Sequence, residues 1–468
     1  MLRLIAVVFS EGYLLPVEHF FFFEPRVSLS NPEPFLTVHS PLYGLFGHYF
    51  RQWMTWLALD EPDAQALLLR LIHALFNIFS LVIAYRLALL AGSVRGARLS
   101  FALLALSWLM PFLSVRTFSF NLALPFLLGA VWVARYSLIS MKRASFLAGL
   151  IAAVAIMLYP PVLVFWLPYV FITLFLGKPI RFFALVMGTI VGVEALSFLV
   201  SHSLLLQASD WVPLLRMTGL RLWQVNFYAL RALFILGLVL GPPLGFFVIY
   251  GFVRLQKFTI RMSLPALFCL LGSIFSSDPL GLLVAAFPFV VITGSQSWME
   301  VVENHMKPSR QLLYYVTIGY FWLFNTILLI WFSTVAPHKQ ELDAMRFIGR
   351  KPYYHSIWVE QTNRPDLEPL PKFYCGRQVV IEYMKKAEES PAIVDSGNRM
   401  LETACVVFRG EEMLKQRLMN IYNLFPALSF EAIFRPGITE KYFRRFMGLP
   451  SGTLVIYRND YYRNNHTP

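Results

Sequence analysis

Residues 133–144 read Val-Ala-Arg-Tyr-Ser-Leu-Ile-Ser-Met-Lys-Arg-Ala, a basic turn set between apolar runs at about 119–135 and 144–158. An apolar run that ends on Arg135 and resumes after Lys142 and Arg143 fits two membrane-crossing helices joined on the cytoplasmic side, where lysine and arginine concentrate. The punctuation recurs. Basic turns hold Arg95 and Arg98; Lys178 and Arg181; Arg254, Lys257 and Arg261; Lys307 and Arg310. Between them fall turns poor in charge: one at Arg116, the Tyr159-Pro160-Pro161 break, a loop from Trp211 to Asn226, and Ser276-Ser277-Asp278-Pro279. This alternation predicts that residues 11–62, Arg116, residues 210–226, Asp278 and everything after Ala336 lie on the non-cytoplasmic side.

Composition agrees. The chain has 468 residues, 57% hydrophobic and 14% charged, and its mean hydropathy is +0.58. Those values describe a polytopic α-helical membrane protein rather than a soluble globule. The net charge of +13 sits largely in the turns, where it sets orientation, so it implies no nucleic-acid partner. Three cysteines make neither a disulfide framework nor a zinc site; Cys375 and Cys405 in the tail are either a pair or two free thiols. No phosphate-cradling glycine loop and no Gly-x-Ser-x-Gly elbow occurs.

Apolar runs fall at about 65–91, 99–114, 119–135, 144–158, 161–177, 182–203, 227–253, 262–275, 279–295 and 312–336, predicting about 10–11 membrane helices. The first ten residues are too short to span. The expectation is that the true start lies upstream or that Met1–Phe9 dips partly into the bilayer. An interfacial helix is expected around Leu42–Leu59. Three segments result: 1–62 with a partial N-terminal helix and first outer loop, 63–336 as the membrane domain, and 337–468 as a small non-cytoplasmic α/β domain. In the last, helices are expected near Arg377–Glu388, Glu411–Tyr422 and Thr439–Phe446, and strands at Ala392–Val394, Ala404–Phe408 and Thr453–Tyr457.

The polar features that remain collect on the outer side. Glu18, His19 and Glu24 stand among aromatics in the stretch from Glu11 to Glu24. Ionisable groups against an aromatic wall at a membrane edge suit a lipid-borne polar substrate; the plain alternative is a surface loop anchored by its phenylalanines. Arg116 and Asn121, in Val115-Arg-Thr-Phe-Ser-Phe-Asn121, could hold a phosphate and a sugar hydroxyl, or be a snorkelling arginine beside the Ser119 cap. Asp278 before Pro279 is a carboxylate at the site or a helix N-cap. The loop with Trp211, Arg216, Arg221 and Trp223 either clamps a lipid phosphate or rides the interface, and His39 is a weaker member of the same set.

At these residues the chain resembles the multi-spanning GT-C glycosyltransferases, and among them the endoplasmic-reticulum mannosyltransferases that build GPI anchors and N-glycan precursors. That family carries an early His-Pro-Asp-Glu-(His/Tyr)-Phe-Gln…Glu motif, which Leu15-Pro16-Val17-Glu18-His19-Phe20-Phe21 and Glu24 follow in register. Its Arg-Ser-x-Leu-x-Pro-like segment is echoed by His39-Ser40-Pro41-Leu42-Tyr43. Its Arg-Thr-(Phe/Leu)-Ser-Asn motif is matched by Arg116-Thr117-Phe118-Ser119, with Asn121 one place late. Its late His-Lys-Glu motif falls where this chain has Ser276-Ser277-Asp278, and its catalytic aspartate falls on Val17. The resemblance spans roughly residues 1–340. It implies transfer of mannose or a similar hexose, with inversion, from a polyprenyl-phosphate sugar to a lipid- or glycan-linked hydroxyl outside the cytoplasm.

On that reading Glu18, then Glu24, then Asp278 is the base. His19, Arg116 and Arg221 steady the leaving phosphate. Phe20–Phe23 and the Trp211–Trp223 loop hold the prenyl chain. No ligand set demands a metal or other cofactor, although a divalent ion is compatible with the chemistry. The expected location is a bacterial inner membrane, site and tail facing the periplasm. Two other readings stand beside it: an inactive relative acting as a scaffold, for which Val17 speaks, and a lipid or solute transporter, for which the Pro160-Pro161 and Pro242-Pro243 breaks speak.

Overall fold

The computed structural model describes residues 2–12, 23, 41–135, 140–204, 252, 260–276, 279–305, 308–333, 336–360, 370–384, 402–447 and 452–466. The chain forms two compact units. One comprises Met1–Ser10, Pro25–Trp53 and Leu68–Thr334; the other comprises Glu11–Glu24, Met54–Leu67 and Val335–Pro468.

The first unit is helical. Its elements are α1 (Leu2–Phe9), α2 (Pro41–Trp56), α3 (Pro62–Ala91, whose first turns lie in the second unit), α4 (Val94–Leu106), α5 (Leu109–Ser114), α6 (Ser119–Arg135), α7 (Met141–Leu158), α8 (Leu163–Leu176), α9 (Pro179–Leu204), α10 (Ile260–Ile274), α11 (Pro279–His305) and α12 (Pro308–Ser333). Among the described residues, four helical stretches are long and apolar enough to cross a membrane: Pro62–Ala91, Met141–Leu158, Pro179–Val200 and Leu280–Glu300. Shorter apolar helices are Ser119–Arg135, Pro160–Leu176, Ile260–Ile274 and Ile318–Phe332. The apolar run expected at 227–253 lies outside the described residues, apart from Phe252.

The run expected at 99–114 is broken between α4 and α5, and its partner is distant in sequence. Asn325 of α12 accepts the Trp108 N–H at 2.9 Å and donates to the Leu106 carbonyl, so the backbone groups freed by the break are satisfied inside the protein.

Burial orders the helices. The membrane-length window of α11 is 94% buried, that of α9 only 28%, so α11 is the core of the bundle and α9 lies at its edge. Gln296 pins α11 to the α3–α4 turn: it donates to the carbonyls of Ala88 (2.7 Å) and Ser93 (3.2 Å) and accepts the Ser93 N–H. A Cβ at Gly96 would stand 2.3 Å from Gln296 Oε1, so a side chain there would displace the amide from this position.

A seam of small residues joins α7 to α9. A Cβ at Gly188 would meet the Phe146 carbonyl at 2.1 Å, and one at Gly149 the Leu185 carbonyl at 2.5 Å. Close backbone approach through glycine is how helices associate where lipid supplies no hydrophobic drive between them.

The second unit carries a five-stranded sheet: β1 (Ser356–Glu360), β2 (Val380–Met384), β3 (Cys405–Arg409), β4 (Leu428–Phe434) and β5 (Leu454–Asn459), in the order β2-β1-β3-β5-β4. β1 runs parallel to β2 and β3, while β5 runs antiparallel to β3 and β4. Helices α13 (Lys339–Arg350), α14 (Leu414–Ile421), α15 (Ile438–Met447) and α16 (Asp460–His466) accompany it. Trp358, Val406, Phe408, Ile421, Phe425 and Val455 form a core cluster. Beside it Arg417 is paired with Glu360, which is 1% exposed, and also donates to the carbonyls of Arg409 and Gly410.

The helix expected at Arg377–Glu388 is corrected. Val380–Met384 is strand β2. Arg377 opens no helix; it donates to the carbonyls of Ile348, Lys351, Pro352 and Tyr354 and closes the end of α13. The helices expected at 411–422 and 439–446 form as α14 and α15, and the strands expected at 404–408 and 453–457 as β3 and β5. The strand expected at 392–394 lies outside the described residues. All three cysteines are buried, and none is in a disulfide.

Candidate active site

The turn between α5 and α6 is built by its own polar residues. The Arg116 N–H bonds the Leu113 carbonyl, and the Phe118 N–H bonds the Arg116 carbonyl at 2.8 Å. Asn121 Nδ2 then donates to the same carbonyls of Leu113 (2.8 Å) and Arg116 (3.0 Å), adding a second donor to each and tying the start of α6 to the end of α5.

The Arg116 side chain reaches the end of α1. Its Nη1 donates to the Ser10 carbonyl at 3.2 Å and its Nη2 to Ser10 Oγ at 2.6 Å, while the guanidinium lies 4.6 Å from the centre of the Phe112 ring. A cation at a helix C-terminus is favoured by the helix dipole. Arg116 and Asn121 are both 0% exposed. Thus Arg116 and Asn121, expected either to hold a phosphate and a sugar hydroxyl or to be a snorkelling arginine beside a cap, are brought together, and the contacts just described are with the protein itself. Asn121 Oδ1 has no hydrogen-bond partner among the described residues, which leaves one oriented acceptor in this buried turn.

A second buried polar group lies along α3, and sequence reading missed it. His73, fully buried, donates from Nδ1 to the Leu69 carbonyl (2.9 Å); Nε2 then accepts from the Tyr43 hydroxyl at 3.3 Å. Four residues on, Asn77 accepts from Arg3 Nε at 2.8 Å, and Arg3 also donates to the carbonyls of Leu104 and Ala105 at 3.1 Å each. The usable signal was His73 and Asn77 at helical spacing inside an apolar run, since ionisable and amide side chains at such depth are retained only with partners.

In the second unit Arg346 of α13 gathers three carboxylates. Nη1 donates to Glu11 Oε2 (3.3 Å) and Asp343 Oδ1 (3.0 Å), and Nε donates to Asp63 Oδ1 (3.1 Å), which Nη2 also contacts. Burial alone would lower the Arg346 pKa, but Asp63 and Glu11 outweigh it and hold it above its ordinary value. Glu11 is therefore an ordered carboxylate facing a permanent cation, at the head of the very loop that sequence reading searched. The aromatic surroundings of Glu18, His19 and Glu24 point to those residues instead. The signal for Glu11 was its position as the first carboxylate after the first apolar run.

Phe23, expected to hold a prenyl chain with the rest of the Phe20–Phe23 run, is 5% exposed and stacks on Phe373 with ring centres 4.3 Å apart. Glu18, His19, Glu24, His39, Arg216, Arg221, Trp223 and Asp278 lie outside the described residues. Among the described residues, no group of three or more His, Cys, Asp or Glu side chains is arranged to hold a metal ion.

Residues 2–209 match the model of the Alg9-like mannosyltransferase family. No curated protein sequence matches the chain. Among solved structures, ArnT from Cupriavidus metallidurans, crystallised with undecaprenyl phosphate, aligns with a TM-score of 0.61 at 13% identity, covering 98% of this chain and 96% of that one. The oligosaccharyltransferase AglB from Archaeoglobus fulgidus, in complex with an inhibitory peptide and a dolichol-phosphate, aligns with a TM-score of 0.50 at 12% identity, covering 93% of this chain and 72% of that one. At such identities the likeness is one of fold. Over residues 2–209 the chain therefore resembles the Alg9-like mannosyltransferases, on a fold it shares along nearly its whole length with ArnT and AglB.

Proposed function

We propose that this protein is a membrane glycosyltransferase that moves a hexose, mannose in the first instance, from a polyprenyl-phosphate carrier to a hydroxyl of a lipid- or glycan-linked acceptor on the non-cytoplasmic face. The observation that carries the reading is the family match over residues 2–209, because that span contains the first-loop carboxylates together with Arg116 and Asn121. The fold supports it: the two similar structures hold undecaprenyl phosphate and dolichol-phosphate, both polyprenyl phosphates.

The chemistry assigns roles. A carboxylate removes the acceptor proton, the oxygen attacks the anomeric carbon, and the bond to the lipid phosphate breaks with inversion. Glu18 is the first base, Glu24 the second and Asp278 the third. His19, His39, Arg216, Arg221 and Trp223 serve the phosphate and its lipid. Arg116 acts at one remove, fixing the end of α1 from which the first loop departs. The reaction as written asks for no cofactor from the protein. The location that fits is a bacterial inner membrane, with the second unit in the periplasm.

One residue favours a second reading. Val17 stands where the family has an aspartate, and valine takes no proton; a scaffold descended from a transferase would look the same. The test is transfer by the purified full chain from radiolabelled polyprenyl-phosphate mannose to total envelope lipid. Labelled product supports the enzyme, and its absence with every acceptor fraction and with a glucosyl donor supports the scaffold.

A further inference from the structure

At the end of the helical unit opposite the proposed chemistry, as the basic turns orient it, a cavity of about 530 Å³ opens among α6, α7, α8, α9 and α10. Three arginines line it: Arg135 from the last turn of α6, Arg181 from the first turn of α9 and Arg261 from the first turn of α10. Tyr169, Thr173 and Ser145 add polar atoms, and no described lining residue is acidic.

This arrangement gathers like charges around one space. Three guanidinium groups around one cavity repel one another. Two of them, Arg181 and Arg261, also stand in the first turns of their helices, where the helix dipole presents its positive end and a cation is disfavoured. Arg261 donates to the Leu176 carbonyl at the end of α8, so one of its donors is placed by the fold. Arg181 Nε is buried with no hydrogen-bond partner among the described residues. A single anion in the cavity reverses the sign of every one of these terms, because it attracts the three cations and suits the two helix N-termini.

The surroundings decide what kind of anion. Large apolar side chains stand exposed on the same ends of α8 and α9: Phe175 is 81% exposed and Phe183 62%, with Leu176 and Ile180 beside them. Such a skirt meets acyl chains while the arginines stand at headgroup depth. We propose that the cavity binds the phosphate headgroup of an anionic phospholipid from the leaflet on the side of the basic turns. The site is separate from the transfer reaction and does not rest on it.

The test uses the full chain, stripped of lipid in neutral detergent, with binding followed by native mass spectrometry. The probes are short-chain phosphatidylglycerol, phosphatidylcholine of the same chain length, and inorganic phosphate. Phosphatidylglycerol should bind at least tenfold more tightly than phosphatidylcholine, and millimolar phosphate should displace it little. Each arginine changed to glutamine should weaken phosphatidylglycerol about fivefold, equivalent to about 1 kcal/mol, and leave phosphatidylcholine unchanged. Arg135→Gln/Arg181→Gln/Arg261→Gln should bind the two lipids alike; if that variant does not fold, the single Arg181→Gln decides on the fivefold effect. Equal binding of the two lipids by the unmodified chain, or a preference that survives the arginine changes, overturns the site. Full displacement by inorganic phosphate overturns the lipid as its occupant in favour of a soluble phosphate.

Discussion

Replacing Arg116 by methionine removes a buried cation and leaves Ser10 without it. Two charge-assisted hydrogen bonds go, to the Ser10 carbonyl and Oγ, each contributing about 1.5–3 kcal/mol. The contact with Phe112 at 4.6 Å contributes about 0.5–2 kcal/mol more. These are not additive, so a net loss of about 3–5 kcal/mol is expected. Ser10→Ala removes only the Oγ acceptor and should cost about 1–2 kcal/mol. The three cysteines supply the assay, because all are buried and none is bonded to another. A thiol-reactive dye should report thermal unfolding in detergent, with Arg116→Met shifting the midpoint down by several degrees and Ser10→Ala by less. In the Arg116→Met background, Ser10→Ala should add little. Two fully additive effects, or an Arg116→Met protein that melts like the parent, would refute the assignment of Arg116 to the end of α1.

The same assay reaches the α7–α9 seam: Gly188→Ala should destabilise by about 1–3 kcal/mol, since its Cβ meets the Phe146 carbonyl, whereas Gly319→Ala, inside α12 with nothing within 4 Å, should stabilise by up to about 1 kcal/mol. Equal effects would remove the seam. Arg417→Met should cost about 3–5 kcal/mol by removing the cation that faces buried Glu360, and Arg417→Met/Glu360→Leu should recover most of it, measured by denaturant unfolding of the full chain. Failure of the double change to recover would mean the pair is not the coupled unit described. A reporter active only in the cytoplasm, fused after Pro468, should stay silent; a strong signal would invert the orientation argued from the basic turns.

How much of this was legible in the sequence follows from the range of each interaction. Helix α6 is found at 119–135, as its apolar run reads, because the polar turn at one end and Arg135 at the other are local signals. The break at Ser107–Trp108 was illegible, because the residue that satisfies it, Asn325, is 217 positions from Trp108. Strand β2 was read as helix because the charged residues around Val380–Met384 mimic helical spacing. Its Val-Ile-Glu-Tyr-Met pattern was the better guide, and β1, its parallel partner, supplies the ladder that decides. At the candidate site, the motif residues could be read, but Glu11 could not be ranked without Arg346, 335 positions away. The burial of Arg116 was equally invisible: a polar interruption between apolar runs reads the same whether it faces substrate or clasps a helix end.

The central claim is that residues of the first loop carry glycosyl transfer, and one measurement meets it head on. The rate of label transfer from polyprenyl-phosphate mannose should be compared for the unmodified chain and for Glu18→Gln, which keeps the size of the side chain and removes the carboxylate proposed as base. The account predicts transfer by the unmodified chain and a fall of about two to four orders of magnitude in the variant, with its thermal midpoint unchanged. Full transfer by Glu18→Gln and equally by Glu24→Gln, or no transfer by the unmodified chain, would contradict it.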